Sequence, residues 1–114
     1  MGRKILGLAL GLLLLDCKRE KPVAPTSACA GLDTMMVTYG RYVAEAMRRH
    51  CTSCHGGSNP SAGVRLDSYQ EVRRSAETGK WYQVMENGSM PPTGRLDDCT
   101  LAHLRRWIEL GYPQ

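Results

Sequence analysis

The sequence predicts an all-α domain of about four short helices. Apolar residues recur at helical spacing in several segments, and glycine- and proline-rich stretches separate those segments. The chain has 114 residues and no phenylalanine, so its side chains can build only one small core. A bulky apolar cofactor would make such a core sufficient.

The first helix is predicted from about residue 38 to residue 50. Its apolar residues fall at positions i, i+3, i+4, i+7 and i+8, which form one face of a helix. They are Tyr39, Tyr42, Val43, Ala46 and Met47. We expect this face to be buried, with Met47 as a core residue.

Two shorter helices are predicted in the middle of the chain. Ser68 and Glu71 have the spacing of a capping box, so a helix should begin there and end near Gly79. The next helix should cover residues 80–86, before the turn at Asn87 and Gly88.

The last helix has the clearest signals. Asp97 is a good N-cap, and Leu96 and Leu101 have the positions of a hydrophobic staple. Gly111 should end the helix after a buried face of Leu101, Leu104, Trp107 and Ile108. His103 falls off this face, so we expect it to be solvated.

Cys51, Cys54 and His55 form the pattern by which haem is attached covalently. Each thiol adds to a haem vinyl group, and the imidazole becomes an axial ligand of the iron. A Cys-x-x-Cys pair can also be a redox dithiol in a βαβ context or half of a zinc site. The sequence offers neither context, because it has no second ligand pair, and His50 and His103 are isolated.

Met90 stands in a segment that is not expected to form a helix. Ser89 precedes it, and Pro91, Pro92 and Gly94 follow within four residues. Proline fixes its own φ and disfavours the helical region for the residue before it. This loop can therefore hold a thioether in a fixed place.

Residues 1–16 resemble an export signal of the lipoprotein type. Arg3 and Lys4 precede an apolar run at residues 5–15, which is too short to span a bilayer. Cys17 follows the run directly, as in a bacterial lipobox, although aspartate is unusual before that cysteine. An uncleaved anchor or a free thiol at Cys17 is the alternative.

Residues 17–32 are predicted to be a flexible tether, since they are charged and then rich in small residues and proline. The whole chain carries a formal charge of +4, and removal of residues 1–16, with Arg3, Lys4 and Asp16, would leave +3. This small, dispersed charge does not favour a nucleic-acid partner.

With these elements placed, the chain resembles small monohaem c-type cytochromes of class I type. It is similar to haem domains in exported proteins of Bacteroidetes and Planctomycetes. The resemblance covers about residues 33–113, so the domain is assigned to residues 33–114. The matching segments are residues 51–56, 63–69, 90–92 and 106–111.

The resemblance implies an all-α, cytochrome c-like fold around one covalent haem c. It implies that Cys51 and Cys54 form the thioether links, that His55 is the proximal ligand and that Met90 is the distal ligand. Similar domains also pair a cysteine before the first helix with one at the start of the last helix. In this chain those residues are Cys29 and Cys99.

The expected function is electron transfer, with no enzymatic activity of its own, between protein redox partners on the periplasmic side of the cell envelope. A lipid on Cys17 would anchor the protein to the membrane. Arg65, Trp81 and Arg95 are candidates for contacts with the haem propionates. Two alternatives remain: a haem sensor or peroxidase with a displaceable distal ligand, and a conducting subunit of a larger oxidoreductase.

Overall fold

The computed structural model describes residues 29–32 and 35–114. Within this part of the chain, five α-helices are present and no β-strand is formed, so the all-α prediction is confirmed. The helices are α1 (Ala44–His50), α2 (Thr52–His55), α3 (Tyr69–Glu77), α4 (Lys80–Glu86) and α5 (Asp98–Glu109). The predicted signal at residues 1–16 and the lipidation of Cys17 lie outside the described residues.

The first predicted helix is present but begins differently. A π-helical turn at Tyr39–Val43 leads into α1, and the hydroxyl of Thr38 caps this turn by accepting a hydrogen bond from the Arg41 backbone N–H. The wider turn is not visible in the sequence, because its apolar spacing matches an ordinary helix as well. Val43 and Met47 are nevertheless buried, as predicted.

The caps of the later helices follow the sequence signals. The hydroxyl of Ser68 accepts a hydrogen bond from the Glu71 N–H at the start of α3, and the carboxylate of Asp97 accepts one from the Thr100 N–H at the start of α5. Helix α4 has the predicted bounds. Gly79, with φ of 74°, separates α3 from α4 in a left-handed conformation that suits glycine.

The core lies where α5 packs against the π-helical turn and against α4, while α3 packs against α4. Trp107 is fully buried at its centre, and its ring meets Trp81 edge-on at 6.2 Å between centroids. The other buried hydrophobic residues are Val37, Val43, Met47, Leu66, Val72, Ala76, Trp81, Met85, Leu96, Leu101 and Leu104.

The segment after α5 folds back over the core. The indole N–H of Trp107 and the backbone N–H of Tyr39 both donate to the Pro113 carbonyl, each at 2.9 Å. The hydroxyl of Tyr69 donates to the Tyr112 carbonyl at 2.8 Å. These bonds join the π-helical turn, α3 and α5 on one side of the domain.

Cys29 and Cys99 form a disulfide, as the resemblance implied. The bond ties the chain ahead of the π-helical turn to the first turn of α5. Among the described residues, no helix has the length and apolar character needed to cross a membrane.

Candidate haem site

The haem-attachment pattern occupies a sharp joint between two helices. Cys51 follows the last residue of α1, and its backbone N–H still donates to the Met47 carbonyl at 2.8 Å. Its own carbonyl then accepts the His55 N–H at 2.8 Å, which closes α2. One short turn therefore carries Cys51, Cys54 and His55 together, and it is fixed to the core through the buried Met47.

The two cysteines of this turn are free thiols in different surroundings. Cys51 is half-buried and packs against the core, whereas Cys54 is exposed. Burial raises the pKa of the Cys51 thiol to about 11, so this residue stays protonated at neutral pH. Redox dithiols work through a thiolate with a lowered pKa. The dithiol alternative is therefore disfavoured.

His55 is oriented by the segment that follows it. Its Nδ1 lies 3.0 Å from the Val64 carbonyl oxygen. Because a carbonyl only accepts, Nδ1 must carry the proton and donate it, which leaves the lone pair on Nε2 available to a metal. Hydrogen bonding of the second ring nitrogen to a carbonyl is the usual support for a metal-binding histidine.

Gly56 lets the chain leave this turn without a clash. A Cβ atom at Gly56 would lie 2.6 Å from the Thr52 carbonyl oxygen, which real Cβ atoms do not approach so closely. Both groups belong to the backbone, so neither can rotate away. Glycine is therefore required directly after His55.

Met90 lies on a separate loop after α4. Its backbone N–H donates to the Val84 carbonyl at 2.9 Å, and the following Pro91 is buried. Its side chain is 39 % exposed, unlike those of Met47 and Met85 in the core. The residue is thus held by its backbone while its thioether stays accessible. Its role as the distal ligand stays a prediction.

Trp81 provides a separate test of whether the site suits haem. The residue is 5 % exposed, and within the described part of the chain its indole N–H has no hydrogen-bond partner. A buried donor of this kind is costly unless something accepts from it. A haem propionate is an acceptor of suitable charge, so Trp81 fits the cofactor that the cysteine pattern indicates.

The other two propionate candidates differ from Trp81. Arg95 already donates to the Glu86 carbonyl at 3.0 Å and to the Asp98 carboxylate at 2.8 Å. Arg65 is exposed. The structure therefore favours Trp81 among the three candidates.

His103 is not solvated, contrary to the prediction from the sequence. It is half-buried, its ring stacks on Tyr42 with 4.8 Å between centroids, and its Nδ1 lies 2.8 Å from the Cys99 carbonyl oxygen. Its ligand atom, with those of Cys29 and Cys99, forms a group within 4.8 Å. Because the two sulfurs are joined in a disulfide, this group is a packing contact and not a thiolate metal site.

A helical turn with two free thiols and a carbonyl-supported histidine is the arrangement that c-type haem proteins use to attach haem. Residues 51–94 match the family model described as Planctomycete cytochrome C. This match supports a cytochrome c-like domain of the Planctomycete type and agrees with the resemblance drawn from the sequence. No curated protein and no solved structure matches the chain significantly.

The family match supports the binding of haem c and electron transfer based on haem. Its range begins at Cys51 and ends four residues after Met90, so it contains the predicted thioether cysteines and both predicted iron ligands. It covers less than half of the chain and does not reach the disulfide or α5.

Proposed function

We propose that this protein is an electron carrier with one covalent haem c, held through Cys51 and Cys54 and ligated by His55 and Met90. The observation that carries the proposal is the contact between His55 Nδ1 and the Val64 carbonyl. It fixes the tautomer in which Nε2 can bind iron. When bound, haem c supplies an iron that takes up and releases one electron.

The protein's part in this function is to hold the ligands still. His55 is restrained through both its ring and its backbone, since its carbonyl also accepts the Leu66 N–H at 2.7 Å. Met90 is restrained by its N–H bond to Val84 and by the proline after it. Ligands that keep their positions in both oxidation states require little rearrangement for electron transfer.

Two fixed ligands also leave no position for a substrate on the iron. A thioether ligand in addition raises the reduction potential. Because no iron position is left for a substrate, we propose a carrier without enzymatic activity of its own. Cys51 also remains a protonated thiol before haem attachment, which disfavours a redox-dithiol function.

The test is the visible and near-infrared absorption of the purified protein, oxidised and reduced, with Met90→Ala beside the wild type. We expect the oxidised wild type to show the weak methionine-to-iron band at the red end of the spectrum, and Met90→Ala to lack it. Met36→Ala is the matched control, because Met36 is also an exposed methionine, at 60 %.

A spectrum without the methionine-to-iron band would favour the alternative function, a haem sensor or peroxidase. A high-spin wild type that binds carbon monoxide readily would have an open iron position, and a sensor or peroxidase would replace the carrier. Retention of the red band in Met90→Ala, with its loss in Met36→Ala, would show that the distal ligand is Met36 and not Met90.

We also propose that the protein acts on the periplasmic side of the cell envelope, as a lipoprotein anchored through Cys17, and exchanges electrons with protein partners there. The support is the basic and apolar pattern of residues 1–16 and the position of Cys17 after it. Membrane fractionation of the wild type and Cys17→Ser tests the anchor. Equal release of both into the soluble fraction would contradict it.

A further inference from the structure

The loop after His55 returns to the same histidine. Val64 places its carbonyl against His55 Nδ1, and two residues later the Leu66 N–H donates to the His55 carbonyl. One segment of backbone, residues 64–66, therefore holds both the ring and the main chain of His55. Any movement of residues 64–66 would change both contacts.

Two contacts hold the returning segment in place. Leu66 is 5 % exposed and belongs to the core. The carboxylate of Asp67 reaches across the loop and accepts the Gly57 backbone N–H at 2.8 Å. Gly57 and Asp67 flank the loop, so this bond closes it at its base.

The part of the loop between these ends contains glycines, whose backbone can adopt many conformations. Gly57, Ala62 and Gly63 all have positive φ, and Ala62 adopts it at 53° without being glycine. Short turns at Pro60–Gly63 and Ser61–Val64 give it some internal order. The closing bond at the base therefore matters for where the Val64 carbonyl lies.

We infer that Asp67 is a positioning residue for His55, which acts by closing the loop on the Gly57 N–H so that the Val64 carbonyl stays on His55 Nδ1. The inference rests on the proposed function, because it assigns His55 to the iron. The exposed carboxylate does not need to touch the cofactor. Its hydrogen bond to a backbone N–H is of the charge-assisted, stronger kind.

The expected consequence for the iron has a definite sign. A donated Nδ1–H bond makes the imidazole a more basic ligand, which favours ferric iron. Loss of the closing bond should weaken the contact with Val64, make His55 a weaker ligand and raise the reduction potential. Loss of the negative charge alone would also raise the potential, so the experiment must separate these two causes.

The experiment compares Asp67→Ala and Asp67→Asn in the haem-loaded full chain. The asparagine side-chain oxygen can accept the Gly57 N–H without the charge. We expect Asp67→Ala to raise the potential and to speed hydrogen exchange of the Leu66 amide by about tenfold, a factor typical of one such hydrogen bond. Asp67→Asn should keep the Leu66 exchange rate close to that of the wild type and should raise the potential less than Asp67→Ala does, because it loses the charge but keeps the closing bond. Glu109→Ala, which removes an exposed carboxylate from α5, is the control for charge.

The outcomes separate the inference from the function. If both Asp67 variants raise the potential equally while Leu66 exchange stays unchanged, Asp67 acts through its charge and the inference fails. If neither variant attaches haem, the charge itself is required and the inference also fails. Attachment by Asp67→Asn alone would support it. A wild type whose spectrum lacks histidine ligation would contradict the proposed function instead.

Discussion

Substitution of Trp81 by phenylalanine tests whether its buried indole N–H serves the cofactor. The residue packs edge-on against Trp107, and its N–H has no acceptor within the described part of the chain. Phenylalanine keeps an aromatic ring but removes the donor. If a propionate accepts from Trp81 in the haem-loaded protein, the substitution leaves that propionate without the bond.

The magnitude follows from the kind of bond that is lost. A hydrogen bond to a charged group contributes about 1.5 to 3 kcal/mol to stability. For a domain of this size, about 1 kcal/mol lowers the melting temperature by roughly 4 to 8 °C. We therefore expect Trp81→Phe to lower the melting temperature of the haem-loaded protein by roughly 6 to 24 °C. The pKa of the propionate should rise, because its ionised form loses a donor.

The chain supplies a matched control in Trp107→Phe. The Trp107 N–H donates to the Pro113 carbonyl, which also accepts the Tyr39 N–H. This carbonyl therefore keeps one partner, and the lost bond is a neutral one worth about 1 kcal/mol. Both substitutions lose similar aromatic volume. The difference in stability loss between the two variants therefore measures the contribution of the charged acceptor.

The measurements are thermal unfolding of both variants and the pH dependence of their reduction potentials. Trp81→Phe should move the propionate titration to higher pH, and Trp107→Phe should leave it in place. Equal stability losses together with an unchanged titration in Trp81→Phe would refute the assignment. The indole N–H would then have another acceptor, such as water.

Two further predictions concern stability. The Cys29–Cys99 disulfide closes a loop with a sequence separation of 70, so Cys29→Ser with Cys99→Ser should lower the free energy of unfolding by about 4 kcal/mol in chemical denaturation, and a loss below about 1 kcal/mol would contradict this. Hydrogen bonds from Thr100 hold the pKa of Asp97 below its usual range, so its stabilisation is present above about pH 4 and is lost as the pH falls further. Asp97→Ala should therefore cost about 1 kcal/mol at pH 7 and little near pH 2, and an equal cost at both would contradict the titration.

The helices could be predicted because their signals are local. A cap such as Asp97 or Ser68 satisfies backbone groups within three residues, so the sequence alone contains both partners. The bounds of α4 follow likewise from the glycines on either side of it. The π-helical turn before α1 could not be predicted, since its apolar spacing also fits an ordinary helix.

The haem-attachment pattern could be predicted because its residues lie within five positions of one another. The groups that hold His55 in place could not be predicted, because they come from a distant part of the loop. The Val64 carbonyl that orients His55 is a backbone group nine residues away, and no side-chain type indicates its position. Asp67 looks like an ordinary surface carboxylate until the loop brings it to Gly57. The half-buried position of His103 likewise depends on its stacking with Tyr42, from another element.

Three of the candidate site residues, Cys51, His55 and Met90, are each held by backbone close to a residue of the core. Met47 is buried one helical turn before Cys51, and Leu66 is buried next to the segment that holds His55. Pro91 is buried directly after Met90. The core therefore positions these side chains through the backbone while Cys54 and Met90 remain exposed. A small domain without phenylalanine can in this way keep both proposed haem ligands fixed, because the residues that stabilise its fold also fix the backbone that presents them.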